Sequence, residues 1–138
     1  MIRIERPPNF DDIIAVFPKA GDHGVLFAYG EDIYNPSGVT IPKWLEAHEY
    51  KHCARQFMAG GAEQWWLSYL KIPDFRYDEE VLAHAAEFRE QALATKDRNA
   101  RVRLLHSTAM RLTASLYNYE PARSFRQAAL DIRLASGL

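Results

Sequence analysis

The chain has 138 residues, of which 48% are apolar, 12% aromatic and 25% charged; this balance fits one globular domain and excludes a disordered or collagen-like chain. Seventeen Lys and Arg against eighteen Asp and Glu leave a formal charge of -1, so no overall field draws the chain to nucleic acid or to an acidic membrane. The one cysteine, Cys53, excludes an intrachain disulfide and a zinc site built on CxxC pairs. The start of the chain carries no apolar signal segment, and no apolar run approaches the ~20 residues of a membrane helix. The expected location is therefore the cytoplasm, with no membrane partner. The first forty residues read as extended and broken, with a helical turn or two at 11–17 closed by Pro18. Residues 25–29 and 32–34 read as two strands joined by Gly30-Glu31, a type II′ hairpin connection with glycine in its first position. Asn35-Pro36-Ser37-Gly38 ends the pairing.

From Thr40 onward the pattern is helical. A first helix is predicted over 41–59, with Thr40 as N-cap, Pro42 in its first turn and Gly60-Gly61 as its stop. An aromatic helix follows at 62–70 and ends near Pro73, and Asp78 caps a longer helix running to about Lys96. Residues 99–116 form the next helix, with Val102, Leu105, Ala109, Leu112 and Leu116 as its buried stripe. Pro121 begins a last helix that Gly137 ends. The expected class is α+β, one domain over 1–138, predominantly helical with a small N-terminal antiparallel hairpin beside the first long helix.

That helix carries His48-Glu49-Tyr50-Lys51-His52, an HExxH motif. With five His and ten Glu in the chain, chance supplies only about 0.01 such matches. Residues four apart on a helix differ by only ~40° in direction, so His48 and His52 aim at one point, as two zinc ligands must. Glu49 lies ~100° away, placed to reach water on the open side of a metal as a general base. Zinc is thus the implied cofactor. Ile41 and Leu45 share the histidines' side of the helix, which points that side inward.

A catalytic zinc needs a third protein ligand and an open fourth position. Glu80 is the leading candidate, with small Ala83 on its face allowing close helix approach and His84 able to back a ligand from behind. Glu79, His84 and Glu87 remain alternatives as third ligand, and the same acids also suit a solvated face. His106 and Tyr117, on one side of the 99–116 helix, are candidates for stabilising an oxyanion. Cys53 reads as a small buried apolar residue, Trp44, Trp65 and Trp66 as core aromatics, and Lys96, Arg98, Arg101, Arg103 and Arg111 as solvated helix surface.

HExxH on one helix with Glu80-x-x-Ala83-His84 on a second resembles the gluzincin metallopeptidases, whose second helix typically reads ExxxD or ExxAD. The layout is similar to very small gluzincin-like proteins of bacteriophages and prophages, with a hairpin like 26–36 just before the motif helix, and the likeness spans roughly residues 25 to 95. The resemblance implies a zincin-like minimal core, His48, His52 and Glu80 as zinc ligands, Glu49 as base, and a hairpin strand as the edge along which a peptide substrate lies. His84 stands where the family has a supporting Asp. A zinc-binding structural module without turnover, and a metal-free helical binding domain, are the competing expectations. Neither the oligomeric state nor the substrate sequence is legible.

Overall fold

The computed structural model describes residues 1–119 and 121–138. In chain order the elements are β1 (Ile2–Arg3), α1 (Phe10–Val16), a 3-10 turn (Pro18–Gly21), β2 (Phe27–Tyr29), β3 (Asp32–Tyr34), α2 (Lys43–Met58), α3 (Ala62–Lys71), α4 (Pro73–Leu93), α5 (Arg98–Leu112), a second 3-10 turn (Ser115–Tyr117) and α6 (Phe125–Ser136). The molecule is mostly helical with one small mixed sheet, consistent with α+β. Among the described residues no helix is long and apolar enough to cross a membrane.

The hairpin of β2 and β3 pairs Phe27 with Tyr34, Ala28 with Ile33 and Tyr29 with Asp32. Gly30 in the connection takes φ 66° while Glu31 does not reach positive φ, the sign pattern of a type II′ turn. The sequence reading missed β1, which pairs parallel to β3 and makes the sheet order β1-β3-β2. Both of its residues are exposed, so no burial pattern announces it. An ion pair fastens it instead, Arg3 Nε donating to Asp32 Oδ2 at 2.7 Å.

Helix boundaries differ from expectation where proline is concerned. Pro42, not Thr40, precedes the first turn of α2, and no side chain caps it; the Pro42 carbonyl accepts from the Glu46 N–H at 3.0 Å. Helix α4 starts at Pro73 rather than at Asp78. A proline in the first helical position gives up an N–H that would have no partner there, so it opens a helix as readily as it closes one. Helix α5 stops at Leu112, and 115–117 is a separate 3-10 turn. Helix α6 begins at Phe125, where Ser124 Oγ accepts from the Gln127 N–H at 3.1 Å, and Gly137 ends it at φ 72°.

Helix α4 is the pivot of the structure. One face, with Tyr77, Ala85, Phe88 and Ala92, packs against Ala109 and Leu112 of α5 and Ala128 and Ile132 of α6. Its other face meets α2, the most extensive helix pairing in the molecule. A second, aromatic cluster of Ile13, Phe17, Phe27, Trp65, Trp66 and Tyr69 joins α1, the hairpin and α3. The α5 stripe is only half realised: Ala109 and Leu112 are fully buried, whereas Val102 and Leu116 are 45% and 39% exposed. Leu116 lies outside the helix, and Leu104 and Leu105, not Val102, pack against the buried cluster at the start of α5.

Candidate metal centre

The residues of α2 that are buried are His48, Glu49, His52, Cys53 and Gln56. This is an inversion of the usual pattern, because Phe57 and Met58 of the same helix are 84% and 73% exposed. Ile41 and Leu45, expected to turn inward with the histidines, are only half-buried. Burying five polar or ionisable groups on one helix face is expensive unless they meet partners. Helix α4 supplies them for the two histidines, and the hairpin supplies them for Gln56 and Cys53.

Glu80 sits two turns inside α4, and its carboxylate lies between the motif histidines. Its Oε2 is 3.4 Å from His48 Nε2, and its Oε1 is 3.2 Å from His52 Nε2. The two imidazoles are neighbours, with ring centroids 4.9 Å apart. Ala83, one turn further on, has no exposed surface. Tyr69 of α3 donates its hydroxyl to Glu80 Oε1 at 2.8 Å. Glu80 Oε2 is buried with no hydrogen-bond partner, as are His48 Nδ1 and His52 Nδ1.

The remaining acids separate cleanly. Glu79 turns away from the histidines to Arg55 of α2, its Oε1 3.0 Å from Nη2 and its Oε2 3.0 Å from Nε, and so locks the two helices in register. It is not a candidate ligand. Glu87 lies one turn beyond His84 on the same face; its Oε2 is 3.8 Å from His48 Nδ1 and its Oε1 3.6 Å from His84 Nε2. Two groups of three ligand atoms therefore share His48. One is His48, His52 and Glu80, the other His48, His84 and Glu87, and within each group all atoms lie within 4.8 Å of one another.

The electrostatics follow from burial and proximity. Burial opposes ionisation of Glu80, but His52 and His48 facing it hold its carboxyl well below the usual carboxylate range. Burial pushes the His48 imidazole down, yet Glu80, with Glu49 and Glu87 behind it, more than offsets this and raises it to about 9. His84, desolvated and beside His48, drops to about 3. Burial pushes Glu49 up, against the pull of His48 and His52. The Cys53 thiol is likewise pushed up to about 11 by burial, so it stays protonated at neutral pH, in keeping with its expected role as a small buried residue.

A cavity of about 300 Å³ opens beside this layer. His48, Glu49, His52, Glu80, His84 and Glu87 all line it, together with Trp65, Tyr69, Tyr117 and Val25 to Ala28 of the hairpin segment. Tyr117 reaches it from the second 3-10 turn rather than from a continuous α5. Arg76 holds that turn, donating from Nε to the Tyr117 carbonyl at 2.7 Å and from Nη2 to the Asn118 carbonyl at 2.8 Å. His106 is a correction: it is exposed on α5 with its ring against Phe125, and it does not line the cavity. The assumed continuous helix had put it beside Tyr117; the break after Leu112 separates them.

Trp65 and Trp66 are buried core aromatics as expected, but Trp44 is half-buried at the cavity. Arg111 also departs from expectation. Its guanidinium lies 5.1 Å over the Trp44 ring and 3.4 Å from Glu87, so it forms part of the cavity wall while its side chain stays partly exposed. The reading of the sequence also missed Tyr69 as a partner of Glu80, since an aromatic in a core-like helix gives no sign that its hydroxyl is used. Glu87 carried a signal in its spacing, three residues after His84 and seven after Glu80, which keeps it on one helix face.

The donor set fits a metal ion. The two histidine nitrogens approach different oxygens of Glu80, at 3.4 and 3.2 Å, and one ligand atom from each of the three residues lies within 4.8 Å of the others, a spacing at which they could hold a metal ion. Glu80 Oε2 is a buried carboxylate oxygen with no hydrogen-bond partner, the kind of group that calls for one. Comparison with known protein families, with curated proteins and with solved structures gives no match for this chain.

Proposed function

We propose that the chain is a zinc-dependent metallopeptidase of minimal gluzincin type. The single observation that carries this reading is the convergence of His48, His52 and Glu80 from two helices, with the buried Glu49 lining the same cavity. In this reading the α2–α4 pair and the adjoining hairpin form a zincin-like minimal core, with His48 and His52 ligating through Nε2 and Glu80 through its carboxylate. Bound zinc polarises a carbonyl and lowers the pKa of its water. Glu49 is the general base: it accepts the proton from the attacking water and delivers it to the leaving amine, a task suited to a carboxyl whose pKa burial has raised. Tyr69 holds Glu80 in place through its hydroxyl, and Tyr117 is the remaining candidate for stabilising the oxyanion.

The experiment is the Glu49→Gln variant assayed on a peptide library read by mass spectrometry, with zinc content measured in parallel. The variant should keep its zinc and lose hydrolysis by about 10²–10⁴-fold. Undiminished hydrolysis in that variant rejects the mechanism.

One observation favours a second reading, a zinc-binding structural module. The carbonyl of Ala28, on the β2 edge not paired with β3, already accepts from Gln56 Nε2 at 2.9 Å and Trp66 Nε1 at 3.0 Å. That leaves only the stretch before Ala28 for a substrate strand to pair with. Stoichiometric zinc that binds no hydroxamate, in a chain that cleaves nothing, would select this alternative.

A further inference from the structure

We infer that Glu87, held by Arg111, is the positioning residue that fixes the ring and tautomer of His48 for metal binding. The inference rests on the metalloenzyme reading above and deepens it. A histidine that ligates through Nε2 must carry its remaining proton on Nδ1. For His48 that atom is buried and has no hydrogen-bond partner, and an N–H left in that state is costly. The groups beside it are Glu87 Oε2, at 3.8 Å, and His84, whose ring centroid lies 4.6 Å from that of His48.

His84 occupies the position where the sequence led one to expect the supporting group, but its geometry assigns it another role. Its Nδ1 lies 2.8 Å from the main-chain carbonyl of Glu80. A carbonyl only accepts, so Nδ1 bears the ring proton and Nε2 presents a lone pair. The one N–H of His84 is thus spent on its own helix. Glu87 is the carboxylate of the two: burial raises its pKa, but His48 and Arg111 beside it favour the charged form, and a charged acceptor holds an N–H more strongly than a neutral one. Arg111 Nη2 lies 3.4 Å from Glu87 Oε1, and its guanidinium is stacked over Trp44. This occupies one carboxylate oxygen and leaves the other turned to His48. The chain of contact runs from α5 through α4 to α2, and a short contraction of the 3.8 Å gap completes it.

A second ion held by His48, His84 and Glu87 is the competing use of these atoms. It would require both nitrogens of His48 as lone pairs while the first ion is bound, and it would sit beside the positive charge of Arg111.

The test uses the full chain and Zn²⁺ itself, with affinity read by chelator competition and histidine tautomers read from long-range ¹H–¹⁵N correlation spectra of the zinc-loaded protein. One zinc should bind per chain, and the Nδ1 proton of His48 should resonate downfield. Glu87→Ala should weaken zinc binding roughly 10- to 100-fold and shift or broaden that proton signal while leaving the signal of His52 in place. Glu87→Gln, which retains an acceptor oxygen, should lose less, and Arg111→Met should move the same signal by a smaller amount. Should Glu87→Ala fail to fold, the other two variants carry the test. Unchanged affinity with an unmoved His48 signal in Glu87→Gln and Arg111→Met overturns the inference. Two zinc ions in the unmodified chain and one in Glu87→Ala overturn it too, because Glu87 is then a ligand. A chain that takes up no zinc at all overturns the metalloenzyme reading, and this inference with it; zinc uptake indifferent to Glu87 overturns the inference alone.

Discussion

The two faces of α4 solve the same packing problem with opposite chemistry. Toward α5 and α6 the helix offers Tyr77, Ala85, Phe88 and Ala92 to an apolar seam whose partners include the fully buried Ala109, Leu112, Ala128 and Ile132. Toward α2 it offers Glu79, Glu80, His84 and Glu87, each at 3% exposure or less. The first seam stabilises the fold by removing apolar surface from water. The second buries ionisable groups that gain little over well-packed hydrophobic residues and cost much when unpaired. A chain free to optimise stability alone would fill both seams alike, so the polar seam is where a functional site is to be sought.

The contrast can be broken from either side. The largest expected effect is on metal affinity: the ~10–16 kcal/mol of a tight four-ligand structural zinc site amounts to roughly 2.5–4 kcal/mol per ligand. Glu80→Ala should therefore weaken zinc binding by about two to three orders of magnitude in chelator competition. On the apolar seam, Leu112→Ala should lower the stability to urea by about 3 kcal/mol. Its folded fraction should bind zinc with unchanged affinity. If both variants changed both quantities equally, the two seams would not be separate.

The pH dependence of the metal-free protein sharpens the same point. His48 is raised on folding to about 9, so its contribution is complete below the ordinary imidazole pKa and is lost as pH rises toward 9; the limb is on the order of 3 kcal/mol. His84 is lowered to about 3 and Glu80 falls well below its usual value, so their contributions are lost as pH falls. Glu49 and Glu87, whose burial-raised pKa values favour the folded state at lower pH, offset this in part. Stability measured by urea titration should peak between about pH 6 and 7 and decline on both sides. Saturating zinc should flatten the alkaline limb, because the metal holds His48 without its extra proton. A metal-free chain whose stability is flat from pH 4 to 9 would contradict this picture. The smallest effect comes from Tyr69→Phe, which removes the 2.8 Å hydrogen bond to Glu80. It should cost about 2 kcal/mol in urea unfolding, the range for a bond to a charged group.

Much of this was legible in the residues. The hairpin around Gly30-Glu31, the aromatic helix from 62, and the pairing of His48 with His52 follow from local rules, because turn sign and helical spacing are set by neighbours in the chain. Glu80 was only the leading candidate ahead of Glu79, His84 and Glu87, favoured because the alanine one turn on suits a close helix contact. Other features depend on distant contacts and leave no local trace. The parallel β1 is held by Arg3 to Asp32, and no periodicity encodes that pairing. Pro73 could close one helix or open the next, and the choice was made by packing. Arg111 looked like one of several surface cations until its stacking on Trp44 and its proximity to Glu87 set it apart.

The sequence by itself determined that two imidazoles would lie one helical turn apart with a carboxylate between them in the chain, because 3.6 residues per turn leaves no alternative once the helix forms. The tertiary structure alone decided which acid faces them. Glu79 and Glu80 are adjacent and chemically alike, but ~100° of rotation along α4 sends one to Arg55 and the other between the histidines. That angle has meaning only when a second helix is packed against the first.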